Sequence, residues 1–280
     1  MKQYIWLLQR SLHLDLQLLL EVPDISWSSK IVFIYSKYVS IIWNAYNNKK
    51  SIVKKGRSFN GDFYFNDEFA TGLLQSIYCH NYFLRSHLPS APIVVDIGAN
   101  IGQFYAFSKH YLRASNIISF EPIKVCFDTL KLNSTHTAIN AAIGPQDCEQ
   151  EIFIDDRDIF ASLVKPKVPM SDRVSSQMVR VLRLDTVQEI ADLEYIDLLK
   201  IDTEGYELEV LRSARLTVQK CKYILIECSL DRPNSGGLDE VYKYILTIFP
   251  ELQIVDIFSN IRKNNKLEWV EILWKNTRFV

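Results

Sequence analysis

The spacing of apolar and polar positions divides this chain into two regions. Through residues 1–50, two apolar segments read as helices. The second, "SSKIVFIYSKYVSIIWNAYNN", is rich in aromatic residues and ends in Asn-Asn. "KKGRSFNGDFYFND" then reads as a short hairpin, with Asn60-Gly61 as its turn. From about residue 68 the pattern changes. "EFATGLLQSIYCHNYFLRSHL" predicts a helix closed by Pro89 and Pro92. Beyond it, short apolar runs alternate with helical stretches. Strands are predicted at "IVVDIG", "NIISFEP", "HTAINAAIG", "IDLLKIDTEG" and "CKYILIECSL". Helices are predicted from about Gln103 and at "IKVCFDTLKLN", "YELEVLRSAR" and "GGLDEVYKYILTIF". "QEIFID" and "MVRVLRLD" read as extra strands, and "LQIVDIFSNIRKNNKLEWVEILW" as a closing hairpin around Asn264-Asn265.

Strands alternating with helices imply an α/β fold: a mostly parallel sheet covered on both faces. The chain shows no internal repeat, low-complexity stretch or long linker. The N-terminal helices read either as a layer packed on the main body or on a second subunit, or as a surface that docks on a membrane or a lipid-linked substrate.

Composition narrows the partners. The chain has 280 residues, 48% of them hydrophobic, enough for a sizeable core. Lys and Arg number 32 against 33 for Asp and Glu, a balance that gives no field to gather nucleic acid or an anionic membrane. Five cysteines, at 79, 126, 148, 221 and 228, show no zinc spacing and read as buried, reduced thiols. The leucine-rich start is interrupted by Arg10, His13, Asp15 and Gln17, so it reads neither as a signal peptide nor as a spanning helix. The expectation is a soluble cytoplasmic protein.

The candidate chemistry begins at "IVVDIGANIGQF". In open parallel sheets ligands bind beyond the carboxyl ends of the strands. At that edge Gly98 and Gly102 let the backbone approach a ligand and the next helix pack closely. Asp96 can receive a cationic amine or fix the loop, and Asn100 can bond a ligand or cap the helix. Glu121 ends the second strand about twenty residues after Gly102, where an acid accepts ribose hydroxyls. Asn140 and Ala141 end the third strand, where an adenine would lie. The loop is not the G-x-G-x-x-G of dinucleotide sites, and a carboxylate beside it repels phosphate. It therefore suits the zwitterionic tail of S-adenosylmethionine better than NAD.

"VVDIGANIGQF", "ISFEP", "LLKIDTEGYELEVLRSA" and "YILIECS", in this order and spacing, resemble the FkbM family of S-adenosylmethionine-dependent methyltransferases. The resemblance covers roughly residues 56–280 and leaves residues 1–55 as a separate helical extension. It implies a class I (Rossmann-like) methyltransferase fold, with a mostly parallel seven-stranded sheet ending in an antiparallel hairpin. It also implies methylation of a hydroxyl on a sugar, glycolipid or related natural product.

"LLKIDTEGYE" also has a reading of its own. Lys200 and Asp202 face the same way in a strand, and a lysine inside a covered sheet needs a partner. Asp202, Glu204 and Glu227 are available. They form either a structural ion pair or, with Lys200, the catalytic cluster that meets the acceptor hydroxyl. Asp202 and Glu227 end adjacent strands and would suit Mg²⁺, but no further ligand is evident, so no metal site is assigned. None of His13, His80, His87, His110 or His136 is singled out as a base. Ser162 and Leu163, in "DIFASLVKP", read as part of a lid or as a plain loop.

The leading expectation is an O-methyltransferase acting on a small-molecule, glycan or glycolipid acceptor, with residues 1–50 available for a membrane or a second subunit. The alternatives are a non-catalytic cofactor-binding or scaffold subunit, and an oxidoreductase using NAD or a nucleotide-sugar.

Overall fold

The computed structural model describes residues 2–47, 54–58, 61–65, 70–155, 161–163, 174–230, 237–263 and 266–279. Two helices, α1 (Lys2–Leu20) and α2 (Trp27–Asn47), lead into a hairpin of β1 (Lys54–Ser58) and β2 (Gly61–Phe65). The Asn60-Gly61 turn falls only partly within the described residues. The helix predicted before Pro89 is present but broken, as α3 (Ala70–Asn81) and α4 (Leu84–His87).

Next come β3 (Ile93–Ile97), α5 (Gln103–His110), β4 (Asn116–Phe120), α6 (Lys124–Asn133) and β5 (Thr137–Ile139). Four strands follow: β6 (Ala142–Ile143), β7 (Cys148–Asp155), β8 (Ala161–Ser162) and β9 (Val174–Leu182). The chain then runs through α7 (Gln188–Ala191), β10 (Ile196–Ile201), α8 (Glu207–Ser213) and α9 (Arg215–Gln219). It ends with β11 (Cys221–Ser229), α10 (Leu238–Ile248), β12 (Leu252–Lys263) and β13 (Lys266–Asn276).

The main sheet has seven strands in the order β12-β13-β11-β10-β3-β4-β5. The five strands from β11 to β5 run parallel, and β13 inserts antiparallel between β11 and β12. This is the class I methyltransferase sheet. Buried strand residues alternate between two apolar clusters. Val94, Leu198, Leu225 and Leu273 meet α3, α5 and α6 on one face. Val95, Leu199, Ile226 and Trp274 meet α8, α9 and α10 on the other. The side-chain period of two accounts for that sorting.

Three details differ from the sequence expectation. The strand expected over "HTAINAAIG" splits into β5 and β6, and β6 joins a separate four-stranded sheet with β9, β7 and β8. The break sits at Asn140, whose Nδ2 donates to the carbonyls of Glu121 (2.8 Å) and Pro122 (3.0 Å). "QEIFID" and "MVRVLRLD" lie in that second sheet, on β7 and β9. Among the cysteines, Cys148 is exposed, whereas Cys79, Cys126, Cys221 and Cys228 are buried; all five are free.

Candidate active site

The carboxyl ends of β3, β4 and β10 meet backbone to backbone. The N–H groups of Gly98 and Ala99 both donate to the Phe120 carbonyl at 3.0 Å, and the Asp202 N–H donates to the Ile97 carbonyl at 3.0 Å. Gly98 has φ +84°, and a Cβ built on it would lie 1.8 Å from the Asp202 carbonyl oxygen. The approach of the β10 loop by itself therefore requires glycine at this position. Gly102, at φ +94°, lets α5 pack beside Leu130 of α6, 2.9 Å from where a Cβ would stand. Gly102 is also the N-cap residue of α5, so Asn100 does not take that role.

Glu121 holds the loop. Its Oε2 accepts the Asn100 N–H at 2.8 Å, and its Oε1 accepts the Ile123 N–H at 2.7 Å. Burial pushes its carboxyl up to about 7, against the downward pull of those two N–H groups. A carboxylate has about four lone-pair directions, so two remain for ribose hydroxyls. Asn140 is committed to the two carbonyls it binds, and the Ala141 side chain is fully buried. Any contact of that segment with an adenine would come from its backbone or from Asn140 Oδ1.

Lys200 is the hub of the edge. Its Nζ donates to Asp202 Oδ2 at 2.9 Å and stands 3.6 Å from Asp96 Oδ1, the residue paired with it across β10 and β3. The Phe104 ring lies 5.2 Å away. Asp96 was absent from the partners the sequence suggested. It is fully buried, and neither of its oxygens has a hydrogen-bond partner among the described residues. Burial raises the Asp96 carboxyl, Lys200 pulls it back, and Asp202 raises it further. Burial also pulls the Lys200 ammonium down, but Asp202 and Asp96 overcome this and hold it above the ordinary lysine range. Lys200 is thus a fixed cation.

Around this cation the acids are in excess. Glu227 on β11 lies opposite Glu271 on β13. Burial, then the charges of Asp202, Glu204 and Glu271, pushes the Glu227 carboxyl well above its ordinary value. Burial pushes Glu271 up to about 7 although Lys200 pulls it down. Sequence reasoning missed Glu271. Its signal was a lone acid in the apolar alternation "WVEILW".

Glu204 and Gly205 both adopt positive φ, +54° and +102°. Their loop is closed by Glu207, also missed, whose Oε1 accepts the N–H groups of Thr203 (2.9 Å) and Gly205 (3.0 Å) and the Thr203 hydroxyl (3.0 Å). A pocket beside this loop is lined by Glu204, Gly205, Glu207, Glu227, Ser229 and Trp269. Ser162 pairs with Phe153 as part of β8, and Leu163 is buried. The rest of the lid segment lies outside the described residues, apart from Ala161. His136 precedes β5, at the end of the strand away from this edge. Among the described residues no group of three or more His, Cys, Asp or Glu side chains is placed to hold a metal ion.

These residues fit S-adenosylmethionine. A sulfonium and an ammonium bring positive charge to an edge where Asp96, Asp202, Glu227 and Glu271 share one lysine. The orphaned oxygens of Asp96 report the same deficit.

Comparison with known proteins agrees. A family model described as "Methyltransferase FkbM domain" matches residues 96–262. Methyltransferase sdnD of Sordaria araneosa is 28% identical over 176 residues, 50% of this chain and 67% of that protein. Hexuronic acid methyltransferase AglP of Haloferax volcanii is 26% identical over 138 residues, 48% of this chain and 55% of that one. The crystal structure of methyltransferase FkbM from Methylobacillus flagellatus KT superposes with a TM-score of 0.46 at 18% identity, over 74% of this chain and 55% of that chain. This chain therefore spans only part of the length of each. The family match begins at Asp96 and takes in Glu121, Lys200, Asp202 and Glu227. The chain belongs to the FkbM family of S-adenosylmethionine-dependent methyltransferases.

Proposed function

We propose that this protein is an O-methyltransferase that methylates a hydroxyl of a sugar or a related glycan, and that residues 56–280 form its catalytic domain with α1 and α2 as an extension. The observation that carries the reading is the pocket at the carboxyl edge. It combines an aromatic side chain, Trp269, with the carboxyls of Glu204 and Glu227. An aromatic face packs against the apolar face of a sugar ring, while carboxylates hold its hydroxyls. A relative named as a hexuronic acid methyltransferase supports the same acceptor class. Five free cysteines with no disulfide fit a reducing, cytoplasmic compartment.

Bound S-adenosylmethionine supplies an electrophilic methyl group. On this reading Asp96, Asn100 and Glu121 hold the cofactor, with the backbone at Asn140 and Ala141 near its adenine. Lys200, charged and tied to Asp202, fixes the loop between cofactor and pocket. Glu204 binds the acceptor from the pocket wall. Glu227, whose raised carboxyl binds protons more readily than an ordinary carboxylate, takes the hydroxyl proton. Alignment of the hydroxyl with the methyl group contributes the larger share of the rate.

The test is transfer of labelled methyl from S-adenosylmethionine to a panel of hexose, hexuronate and non-sugar alcohol acceptors. Turnover confined to the sugar acceptors is the expected result. Turnover on non-sugar alcohols alone would overturn the acceptor class.

A further inference from the structure

Two carboxyls oppose each other across neighbouring strands. The antiparallel register of β11 and β13 sets Glu227 against Glu271, next on the same face after the Leu225–Leu273 pair. That face also carries Lys200, which is paired with Leu225, and Asp202 after it. Directly opposed side chains in an antiparallel pair have Cβ atoms about 4.5–5.5 Å apart. The two glutamates are therefore close enough for each to feel the other's charge.

Their surroundings differ. Glu227 lines the pocket with Trp269, and Glu271 does not. Glu271 is only 9% exposed. On its other side the register places Phe258 of β12, and Phe83 stacks on that ring. The aromatic pair keeps water from that side of Glu271.

Compensating charge is scarce. Among the described residues the cation acting on both glutamates is Lys200. Its Nζ is bonded to Asp202 at 2.9 Å and stands 3.6 Å from Asp96. The loop after β10 adds another acid, Glu204. From α3, Asn81 is uncharged, and His80 bonds Ser76 on its own helix at 3.1 Å. Burial above all, and Asp202 with it, raises the proton affinity of both glutamates against the pull of Lys200. Two acids in one such place titrate as a unit: once one carboxyl is charged, the other gives up its proton only at higher pH.

We propose that Glu271 is a positioning residue whose charge, facing Glu227 from β13, holds the proton on Glu227 and so sets the pH range in which Glu227 can take the acceptor's proton. The proposal rests on the reading of Glu227 as the base. In the active state both carboxyls are ionised. The acceptor O–H bond breaks as a Glu227 O–H bond forms, and the oxygen's electron pair goes to the transferred methyl group. The proton then leaves Glu227 for water through the pocket.

The test is a carbon-13 NMR titration of the full chain with labelled glutamate carboxyls, from about pH 5 to about pH 10. Wild type, Glu271→Gln and Glu227→Gln are compared, and each variant identifies the signal it removes. In wild type both signals should titrate in two steps. Glu271→Gln should lower the Glu227 midpoint by about one pH unit or more, and Glu227→Gln should lower that of Glu271 comparably. Labelled-methyl transfer to the sugar acceptors is followed over the same pH range. With Glu271→Gln the rising limb of the rate should move to lower pH together with the Glu227 signal. A merely structural Glu271 would change the melting temperature and move neither midpoint. Single-step titration of both signals in wild type would overturn the proposal, as would an unmoved Glu227 midpoint in Glu271→Gln. If Glu227→Gln is slow while Glu271→Gln shifts nothing, the proposal fails and Glu227 remains the base. If Glu227→Gln transfers methyl at the wild-type rate, the base assignment fails and the proposal falls with it.

Discussion

Lys200→Met is expected to destabilise the protein by about 3–5 kcal/mol, the usual result of leaving a buried charge without its partner. The Lys200 side chain is 6% exposed and the Asp96 side chain 0%, and the gap between them is 3.6 Å. Methionine would fill much of the lysine volume, so a cavity is not the main term. The loss comes from Asp96, whose oxygens have no hydrogen bond, and from the Glu227–Glu271 pair, which loses its nearby cation. Asp96→Asn in the same background should recover part of the loss, because it removes the unpaired charge. Urea unfolding of the two single variants and the double variant forms the cycle that measures this coupling. A loss under about 1 kcal/mol would show that the pair is not what holds the edge together.

Glu227→Gln is expected to lower methyl transfer by about 10²-fold or more while leaving the fold intact. Glutamine keeps the shape and the hydrogen-bonding oxygen but cannot take a proton. It also relieves the repulsion with Asp202, Glu204 and Glu271, so the melting temperature should hold or rise. That combination separates catalysis from structure. A variant that melts later and turns over slowly supports Glu227 as the base. Unchanged single-turnover rates on a sugar acceptor would remove Glu227 from that role, and Asp202→Asn in the same assay would then test the acid bonded to Lys200.

What the sequence made legible was whatever depends on neighbours along the chain. The period of two within "IVVDI" and "IDLLKI" and the helical stretches between strands suffice for the parallel sheet and its closing hairpin. The T-x-x-x-E closure by Glu207 is equally local and was open to recognition in "DTEGYE". The Lys200–Asp96 pair was not, because it exists only once β10 is seated beside β3. Glu271 joins the same cluster through the antiparallel register of β13 with β11, which puts it opposite Glu227. The crowding at Gly98 was hidden for the same reason: it comes from the Asp202 carbonyl, which lies far along the chain. The split at Asn140 follows from two side-chain bonds to the end of β4, which no propensity encodes. Of the N-terminal helices, the apolar character was plain, but the burial of Asp15, Lys30 and Lys37 was not.

The most direct test of the account is a calorimetric titration of the wild-type chain and Glu121→Ala with S-adenosylmethionine, S-adenosylhomocysteine and NAD. The account predicts that wild type binds the first two and not NAD. It also predicts that Glu121→Ala weakens binding of both by about 1–3 kcal/mol, the effect of losing a hydrogen bond to a charged acceptor. NAD binding without S-adenosylmethionine binding would contradict the methyltransferase assignment. Equal affinities in a Glu121→Ala protein that melts normally would contradict the cofactor site described at the edge of β4.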